Sequence, residues 1–461
     1  MIEEQENELG TEKISKLIRR FSIPCIISLI VSALYNIVDQ IFIGQGVGYL
    51  GNAATNIVYP MTVIATALAL LIGDGTAAYL SLCLGRNDKD SANKGVNNGF
   101  IITVLLGVIL LIVGVCFQEP LLKLFGVTEK SYAMTKDYMF WIVIGLPFFA
   151  ITTAMNSVIR ADGSPKSAMI TMLLGAIINI ILDPIAIFVL GLGVKGAAIA
   201  TIIGQIISAI VTIIFLKRLK NVKLEKKYFK LDFRVIKKLA SLGISSFITQ
   251  VAVTIVIIVM NNLMGKYGAL SQYGSEIPLS AMGIVMKVNS ILIAIAVGIA
   301  AGSQPIIGYN YGAKKYDRVK KTFYTAVKIT FCVLIVFFLI FQFCPDIIIN
   351  IFGQEDELYT EFARMTFRTF LMFCVFSGIQ IVISIFFQSI GKPVKSAILS
   401  LLRQILLFVP AAIIFANFFG IQGILYSGPI ADGISFIVAL IFIIFEIKNL
   451  NKLEKEELVC E

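Results

Sequence analysis

Three aspartates lie inside long apolar stretches in the first half of this chain: Asp39, Asp74 and Asp183. A carboxylate at the middle of a bilayer costs about 2.5–3.5 kcal/mol on insertion scales, so each position needs a physical reason. Asn179 precedes Asp183 by four residues and Tyr35 precedes Asp39 by four, which places each pair on one helical face. Carboxylate, amide and hydroxyl oxygens suit a hard cation, and two adjacent carboxyls can share a proton. The pattern predicts a site for Na⁺ or H⁺.

The depth of these side chains along their helices supports one shared site. At 1.5 Å per residue, Asp39 and Thr201 lie roughly 9 Å inside the nearest polar ends of their apolar segments, and Asp183 lies roughly 12 Å inside. All three therefore reach one level in the outer half of the membrane. We predict that Asp39, Asn179, Asp183 and Thr201 form the cation or proton site. The alternative is a structural polar cluster that ties three spans together.

Four other charged residues inside apolar stretches are secondary candidates. Asp74 lies between two glycines, so a local hydrogen-bonding role and a functional role are both open. Arg403 and Asp432 fall in the last two predicted spans, and we expect them to pair with each other. Lys287 is expected to extend its ammonium group toward the membrane surface.

The second half of the chain repeats landmarks of the first half about 227 residues later. Residues 75–85 correspond to residues 302–312, and Pro184 corresponds to Pro410. Two similar membrane bundles can rock about a site held between them, which is the architecture of an alternating-access carrier. The acids are not repeated, because the positions that correspond to residues 39, 74 and 183 hold Ile258, Ala301 and Val409. Packing alone would not require this asymmetry.

The composition is that of a membrane protein. Hydrophobic residues make up 57% of the chain and charged residues 15%, well outside the range of soluble domains. Twelve apolar segments reach the roughly 20 residues that a membrane crossing needs. We predict an all-α integral membrane protein, with twelve transmembrane helices in two pseudo-symmetric six-helix bundles around a central cavity. Its parts are an N-lobe with its cytoplasmic tail (1–216), a basic cytoplasmic linker (217–238), a C-lobe (239–447) and a cytoplasmic tail (448–461).

The distribution of Lys and Arg predicts the orientation of the spans. With the N-terminus in the cytoplasm, the inward segments carry 30 Lys and Arg residues and the outward loops carry 5, a strong positive-inside bias. We therefore expect a multi-pass protein of the cell membrane, with both termini inside and no cleaved signal peptide. The net charge of +10 reflects this topology and does not indicate nucleic-acid binding. The absence of histidine from the sequence excludes zinc and histidine-based enzyme mechanisms of the usual kinds.

Five motifs carry a resemblance to the multidrug and toxic compound extrusion (MATE) family, and the likeness extends over most of the chain. They are Leu34–Gly44 (LYNIVDQIFIG), Arg160–Pro165 (RADGSP), Asn179–Pro184 (NIILDP), Gly196–Thr201 (GAAIAT) and Gln304–Ala313 (QPIIGYNYGA). The family fold is two six-helix bundles around a central cavity. The resemblance implies export of amphipathic, often cationic drugs in exchange for H⁺ or Na⁺, without another cofactor, by a protein that is expected to be a monomer.

The resemblance also assigns expected roles to individual residues. The coupling-site positions of relatives that carry this site in the first lobe match Asp39, Asn179, Asp183 and Thr201. The proline at which span 1 bends matches Pro24. Cavity-lining positions correspond to Tyr35, Asn36, Tyr138 and Asn156. Other branches use acids in the seventh and tenth spans, where this chain has neutral groups such as Asn261, Asn262 and Gln380.

Three rival functions have weaker support in the sequence. A flippase for lipid-linked sugars, from the same superfamily, is expected to show more cationic residues in its cavity than Lys287 and Arg403. An intramembrane prenyltransferase needs clustered acids at a membrane face to hold magnesium pyrophosphate, and the sequence has no such cluster. A passive channel is a further alternative, although paired lobes favour a carrier.

Overall fold

The computed structural model describes residues 7–127, 129–352 and 357–460. Within these ranges the chain is helical, with short connections and no strand. Helices satisfy their own backbone hydrogen bonds, as an apolar chain must do inside a bilayer. The all-α prediction is confirmed. The α-helices are α1 (Glu8–Thr11), α2 (Ile14–Val47), α3 (Tyr49–Gly85), α4 (Lys89–Cys116), α5 (Gln118–Leu124), α6 (Tyr132–Ala161), α7 (Pro165–Pro184), α8 (Gly193–Leu216), α9 (Phe233–Ala269), α10 (Glu276–Gly312), α11 (Tyr316–Phe343), α12 (Pro345–Phe352), α13 (Glu357–Phe370), α14 (Cys374–Ser389), α15 (Pro393–Leu401) and α16 (Val409–Cys460).

Ten helical stretches of the described chain are long and apolar enough to cross a membrane, and the pair α13–α14, bent by 45°, makes eleven. The last stretch, Pro393–Glu457, is 65 residues long, about three times the length that one crossing needs. Gly420 interrupts it with φ 61° and ψ −139°, which are not helical angles. The difference from the predicted twelve spans lies in how this stretch is divided.

Two π-helical segments lie next to the repeated prolines. Ile185–Val189 follows Pro184, and Leu402–Phe408 precedes Pro410. Proline lacks the N–H that closes an α-helical turn and its ring crowds the preceding turn, so the helix widens locally. Each segment is associated with a charged candidate residue. Asp183 lies two residues before the first segment, and Arg403 lies within the second.

The hydrophobic core follows the two halves of the sequence. One buried cluster lies entirely between Met260 and Leu450. A second cluster lies entirely in the first half. A third cluster of the first half also includes a few residues from the second half, and these mark where the halves meet: Leu239, Leu242, Ile306 and Tyr309.

The halves are in backbone contact at the end of the molecule that carries the linker. A Cβ atom on Gly75 of α3 would lie 2.0 Å from the carbonyl oxygen of Leu239 on α9. A Cβ on Gly243 of α9 would lie 1.8 Å from the carbonyl oxygen of Leu71 on α3. Because only glycine permits such an approach, these two positions fix how closely α3 and α9 pack.

The N-terminal segment and the linker are packed on this same end. Leu9 in α1 is buried, and its carbonyl oxygen accepts hydrogen bonds from Asn310 at 2.9 Å and from Arg318 at 3.3 Å. In the linker, which contains a 3₁₀ turn at Lys226–Tyr228, the backbone N–H of Asn221 donates to Asp162 at 2.9 Å. The sequence predicts a cytoplasmic tail and a basic cytoplasmic linker for these parts, and in the structure both pack against the bundle.

Candidate functional site

Asp39 and Asp183 meet within the membrane-spanning part of the first half. Asp39 lies on α2, and Asp183 lies at the C-terminal end of α7, immediately before Pro184. Their carboxyl groups are close enough to interact directly with each other, and Asp183 is completely buried. Two carboxylates in such contact repel each other unless a proton or a cation lies between them. The structure thus brings together the two aspartates that sequence depth placed at one level.

Asn179 joins this pair to a third helix. Its amide donates to Asp183 Oδ1 and to Thr201 Oγ1, both at 3.1 Å. Asn179 lies one turn before Asp183 on α7, whereas Thr201 lies on α8, so the amide connects two helices. All four residues predicted for the ion site are therefore adjacent: Asp39, Asn179, Asp183 and Thr201. We call them the carboxyl cluster.

Three buried oxygen atoms of the carboxyl cluster have no hydrogen-bond partner among the described residues: Asp39 Oδ1, Asn179 Oδ1 and Asp183 Oδ2. An unpaired buried acceptor costs about 1–3 kcal/mol, so the cluster suits a guest that offers positive charge or a proton. No group of three or more acidic, cysteine or histidine side chains in the described ranges is arranged to hold a metal ion. Two carboxylates, an amide and a hydroxyl offer the oxygen ligands that hard cations take, and the two carboxylates can also share a proton.

Two tyrosines lie beside the carboxyl cluster. Tyr35 is one turn before Asp39 on α2, and Tyr138 is on α6. Each tyrosine is close enough to Asp39 and Asp183 to interact with them electrostatically. Tyr138 is 8% exposed and Tyr35 is partly buried. Their rings give the two acids an apolar surrounding, in which charge interactions are stronger than in water.

The other two predicted cavity residues make their hydrogen bonds away from the carboxyl cluster. Asn36 is exposed on α2, and its amide donates to the carbonyl oxygen of Ser32 at 2.7 Å. Asn156 is buried between α6 and α7, where its amide donates to the Ala168 carbonyl oxygen at 2.6 Å and to Thr171 Oγ1 at 3.1 Å. In this structure Asn156 therefore connects two helices of the first half.

Asp74 connects the two halves of the molecule. One of its carboxylate oxygens accepts a hydrogen bond from Ser157 of α6, and the other accepts one from Ser246 of α9, each at 2.7 Å. Gln388 of α14 also donates to the Ser246 hydroxyl, at 3.3 Å. The sequence left open whether Asp74 is structural or functional, and the structure places it at the contact that closes one end. Isolated serine and glutamine residues in apolar helices gave no sequence signal for this network.

Arg403 and Asp432 form the expected ion pair, with Arg403 Nε 2.7 Å from Asp432 Oδ1. Both line a cavity of about 90 Å³ inside the second half, together with Cys374 and Gln404. The side-chain amide oxygen of Gln404 (Oε1) is buried without a hydrogen-bond partner among the described residues. Because each charge of the pair neutralises the other, the ion pair gives a structural reason for both residues.

Pro24 and Lys287 complete the set of predicted candidates. Pro24 is buried in α2, which continues through it, and Ser28 donates to its carbonyl oxygen at 2.8 Å. The hinge role of Pro24 stays a prediction. Lys287 is exposed on α10 and has no ion-pair partner in the described part of the chain.

Comparisons with known proteins show what this chain is similar to. A family model described as MatE matches residues 24–185 and again residues 244–414, once in each half. A FAD transporter of Shewanella oneidensis is 25% identical over 91% of this chain and 92% of its own. The multidrug export protein MepA of Staphylococcus aureus (strain MRSA252) is 25% identical over the whole of both chains.

A solved structure described as the outward-facing conformation of a multidrug resistance MATE family transporter has a TM-score of 0.89 and 25% identity, covering 96% of this chain and 98% of that chain. Members of this family are transporters and not enzymes, and the comparisons give no support to a flippase or a prenyltransferase. Because the two matches of the family model together span most of its length, this chain belongs to the MATE family of membrane transporters.

Proposed function

We propose that this transporter exports amphipathic, often cationic compounds across the cell membrane in exchange for Na⁺ or H⁺. The observation that carries the proposal is the contact between Asp39 and Asp183, with three buried and unpaired oxygens around it. Burying two acids without a functional guest is costly in a membrane. An ion moving down its gradient through such a site supplies the energy for export.

The proposed topology has twelve spans in two six-helix bundles around a central cavity, both termini in the cytoplasm, and one chain as the working unit. This count treats Gly420 as the break between the last two spans. With the N-terminus in the cytoplasm, the closed contact between α3 and α9 faces inward. The cleft between the halves then opens outward.

In the proposed mechanism, helix α2 connects the ion site to the contact between the two halves. Asp39 lies near the outer end of α2, whereas Ser22 and Ile26 near its inner end pack against α10. Pro24 lies between Ser22 and Ile26 and removes one backbone hydrogen bond, so α2 can bend there. Binding of H⁺ or Na⁺ draws Asp39 toward Asp183, bends α2 and releases the drug outward. Loss of the ion lets the lobes reopen inward.

The chemistry of the site is compatible with either ion. The oxygens of Asn179 and Thr201 can ligate Na⁺ beside the two carboxylates. The same two residues can instead orient a carboxyl group that carries a proton. Relatives of this chain include a multidrug exporter and a FAD transporter, so we propose amphipathic aromatic molecules as the substrate class.

The flippase and channel alternatives fit the residues less well. A site for a lipid pyrophosphate needs several free cations, and Asp432 already neutralises Arg403. A channel needs a continuous path, whereas Gly75 and Gly243 bring the halves into backbone contact at one end.

Transport into proteoliposomes tests the proposal, with sodium and pH gradients imposed independently. We expect wild-type protein to move ethidium against its gradient with one of the two ions. Asp39→Asn and Asp183→Asn should each abolish gradient-driven movement, whereas Asp317→Asn, which changes an exposed acid on α11, should not. Coupled export by well-folded Asp39→Asn and Asp183→Asn proteins would contradict the proposal.

A further inference from the structure

Five residues of α10 are exposed, and they form one stripe along the helix. They are Glu276, Ser280, Gly283, Lys287 and Ser290. Their spacing alternates between four and three residues, which places them on a single helical face. All five are charged, small or polar.

The composition of this face favours contact with water over contact with lipid. No large hydrophobic residue of α10 is exposed, whereas α4 exposes Leu105, Ile109 and Ile112. A lipid-facing surface requires apolar side chains of the α4 kind. The stripe on α10 lacks them over its whole length.

The stripe continues into the contact between the two halves. On the same face of α10, Gly298 packs against Ile26 of α2, and Gly302 packs against Ser22. The two helices run antiparallel there. The stripe is exposed where α10 continues past this contact, so the two halves diverge there. The stripe therefore forms one wall of the cleft between the halves. Lys287 lies on this wall.

The opposite wall at the level of Lys287 carries two neutral polar residues. Lys287 is eleven residues from Gly298 along α10, which is about 16 Å from the contact between α10 and α2. The turn of α2 that contains Asn36 and Gln40 lies at the same distance from Ile26, on the other side of the cleft. Both Asn36 and Gln40 are exposed. The nearest acid on α2, Asp39, has a buried oxygen and contacts Asp183 instead.

We propose that Lys287 binds the anionic group of an amphipathic substrate in this cleft. The ammonium group offers three hydrogen-bond donors, and the side-chain amides of Asn36 and Gln40 offer more from the facing wall. A cation inside a cleft with low-dielectric walls also attracts anions from solution. The ligand class is an aromatic amphiphile with a carboxylate, sulfonate or phosphate. This inference rests on the proposed export function and specifies one substrate class for it.

Two dyes with the same xanthene ring system and opposite charge test the inference. Carboxyfluorescein is the anionic probe and rhodamine 6G is the cationic probe. Their binding to protein in nanodiscs is followed by fluorescence anisotropy, and their transport in proteoliposomes gives KM. The variants are Lys287→Met, which keeps the length of the side chain, and Lys287→Arg, which keeps the charge. Lys266→Met, on α9 beside Tyr267, is the control.

We expect Lys287→Met to weaken carboxyfluorescein binding by about tenfold to a hundredfold, the effect of losing a charged hydrogen bond. Lys287→Arg and Lys266→Met should keep wild-type affinity within about threefold, and rhodamine 6G affinity should stay the same or improve in Lys287→Met. Unchanged carboxyfluorescein affinity in Lys287→Met overturns the inference.

The remaining outcomes separate this inference from the proposed function. Wild-type protein that binds and exports only rhodamine 6G overturns the anion site and leaves the proposed function intact. Binding of carboxyfluorescein through Lys287 without gradient-driven export of either dye supports the anion site and counts against the proposed function. If Lys287→Met loses coupled export of both dyes but binds both normally, Lys287 acts in ion coupling and the inference is wrong.

Discussion

The Asp74 carboxylate of α3 accepts a hydrogen bond from the Ser246 hydroxyl of α9 at 2.7 Å, across the boundary between the two halves. The bond lies beside the closest backbone contact, in which Gly75 and Gly243 take part. It exists only while the halves are closed at this end. We therefore expect Asp74 to favour the conformation in which the halves are closed at this end.

Removal of the Asp74–Ser246 bond should shift the conformational equilibrium. We expect Ser246→Ala to favour closure of the opposite cleft by about 1–3 kcal/mol, the value of a hydrogen bond to a charged group. Spin labels at residues 36 and 283, on facing walls of the cleft, report this as a larger population of short distances. Ser157→Ala is the matched control, because it removes a bond of the same length to Asp74 within one half. Equal distance distributions in wild type and Ser246→Ala would contradict the prediction.

Gly243→Ala should disrupt the same contact by steric overlap. Its Cβ would lie 1.8 Å from a backbone carbonyl oxygen, and backbone cannot move aside as a flexible side chain can. We expect a loss of about 1–3 kcal/mol in the free energy of unfolding of the closed form and a lower unfolding temperature in detergent. Gly283→Ala is the control, because no atom lies within 4 Å of its added Cβ. Equal unfolding temperatures for the two variants would show that the contact between α3 and α9 is not rigid.

The carboxyl cluster could be predicted because its positions depend only on distance along single helices. Asp39, Asp183 and Thr201 were placed at one depth by counting residues, and Asn179 by helical periodicity. The partner of Asp74 could not be predicted in this way, because Ser246 is 172 residues away and belongs to the other half. Such contacts depend on how two bundles pack, and local sequence patterns contain no information about that.

The same limit explains the other differences between sequence and structure. The N-terminal segment and the linker are rich in charge, so their composition resembles that of solvated tails. The structure holds them through single backbone contacts, such as the carbonyl oxygen of Leu9 and the N–H of Asn221. Composition describes the average environment of a segment and does not identify which backbone groups have partners.

Asp162, at the end of α6 outside the span, should make stability depend on pH. Burial raises the pKa of its carboxyl from 3.8 to about 6, although the backbone N–H groups of Lys220 and Asn221 oppose the shift. The folded state therefore binds a proton more tightly than the unfolded state. This contribution, about 3 kcal/mol, is fully present below pH 4 and is lost as the pH rises through about 6.

Thermal unfolding in detergent between pH 4 and pH 7 measures this effect. We expect Asp162→Asn to reduce the fall in stability between pH 4 and pH 6 that the wild type shows. Asp90→Asn is the control, because Asp90 is an exposed acid whose pKa is lowered by Lys94. If Asp162→Asn keeps the pH dependence of the wild type, the linker contact does not cause it.

The Arg403–Asp432 pair should be structural, and a double variant separates this from a transport role. Asp432 is 7% exposed, so Arg403→Met alone leaves a buried, unpaired carboxylate and should cost about 3–5 kcal/mol of unfolding free energy. Asp432→Leu alone leaves an unpaired guanidinium and should cost a similar amount. The combined Arg403→Met/Asp432→Leu variant replaces both charges by apolar groups, so its unfolding temperature should return close to that of the wild type. Ethidium export by the combined variant should be retained, and a stable double variant without export would assign the pair a role in transport.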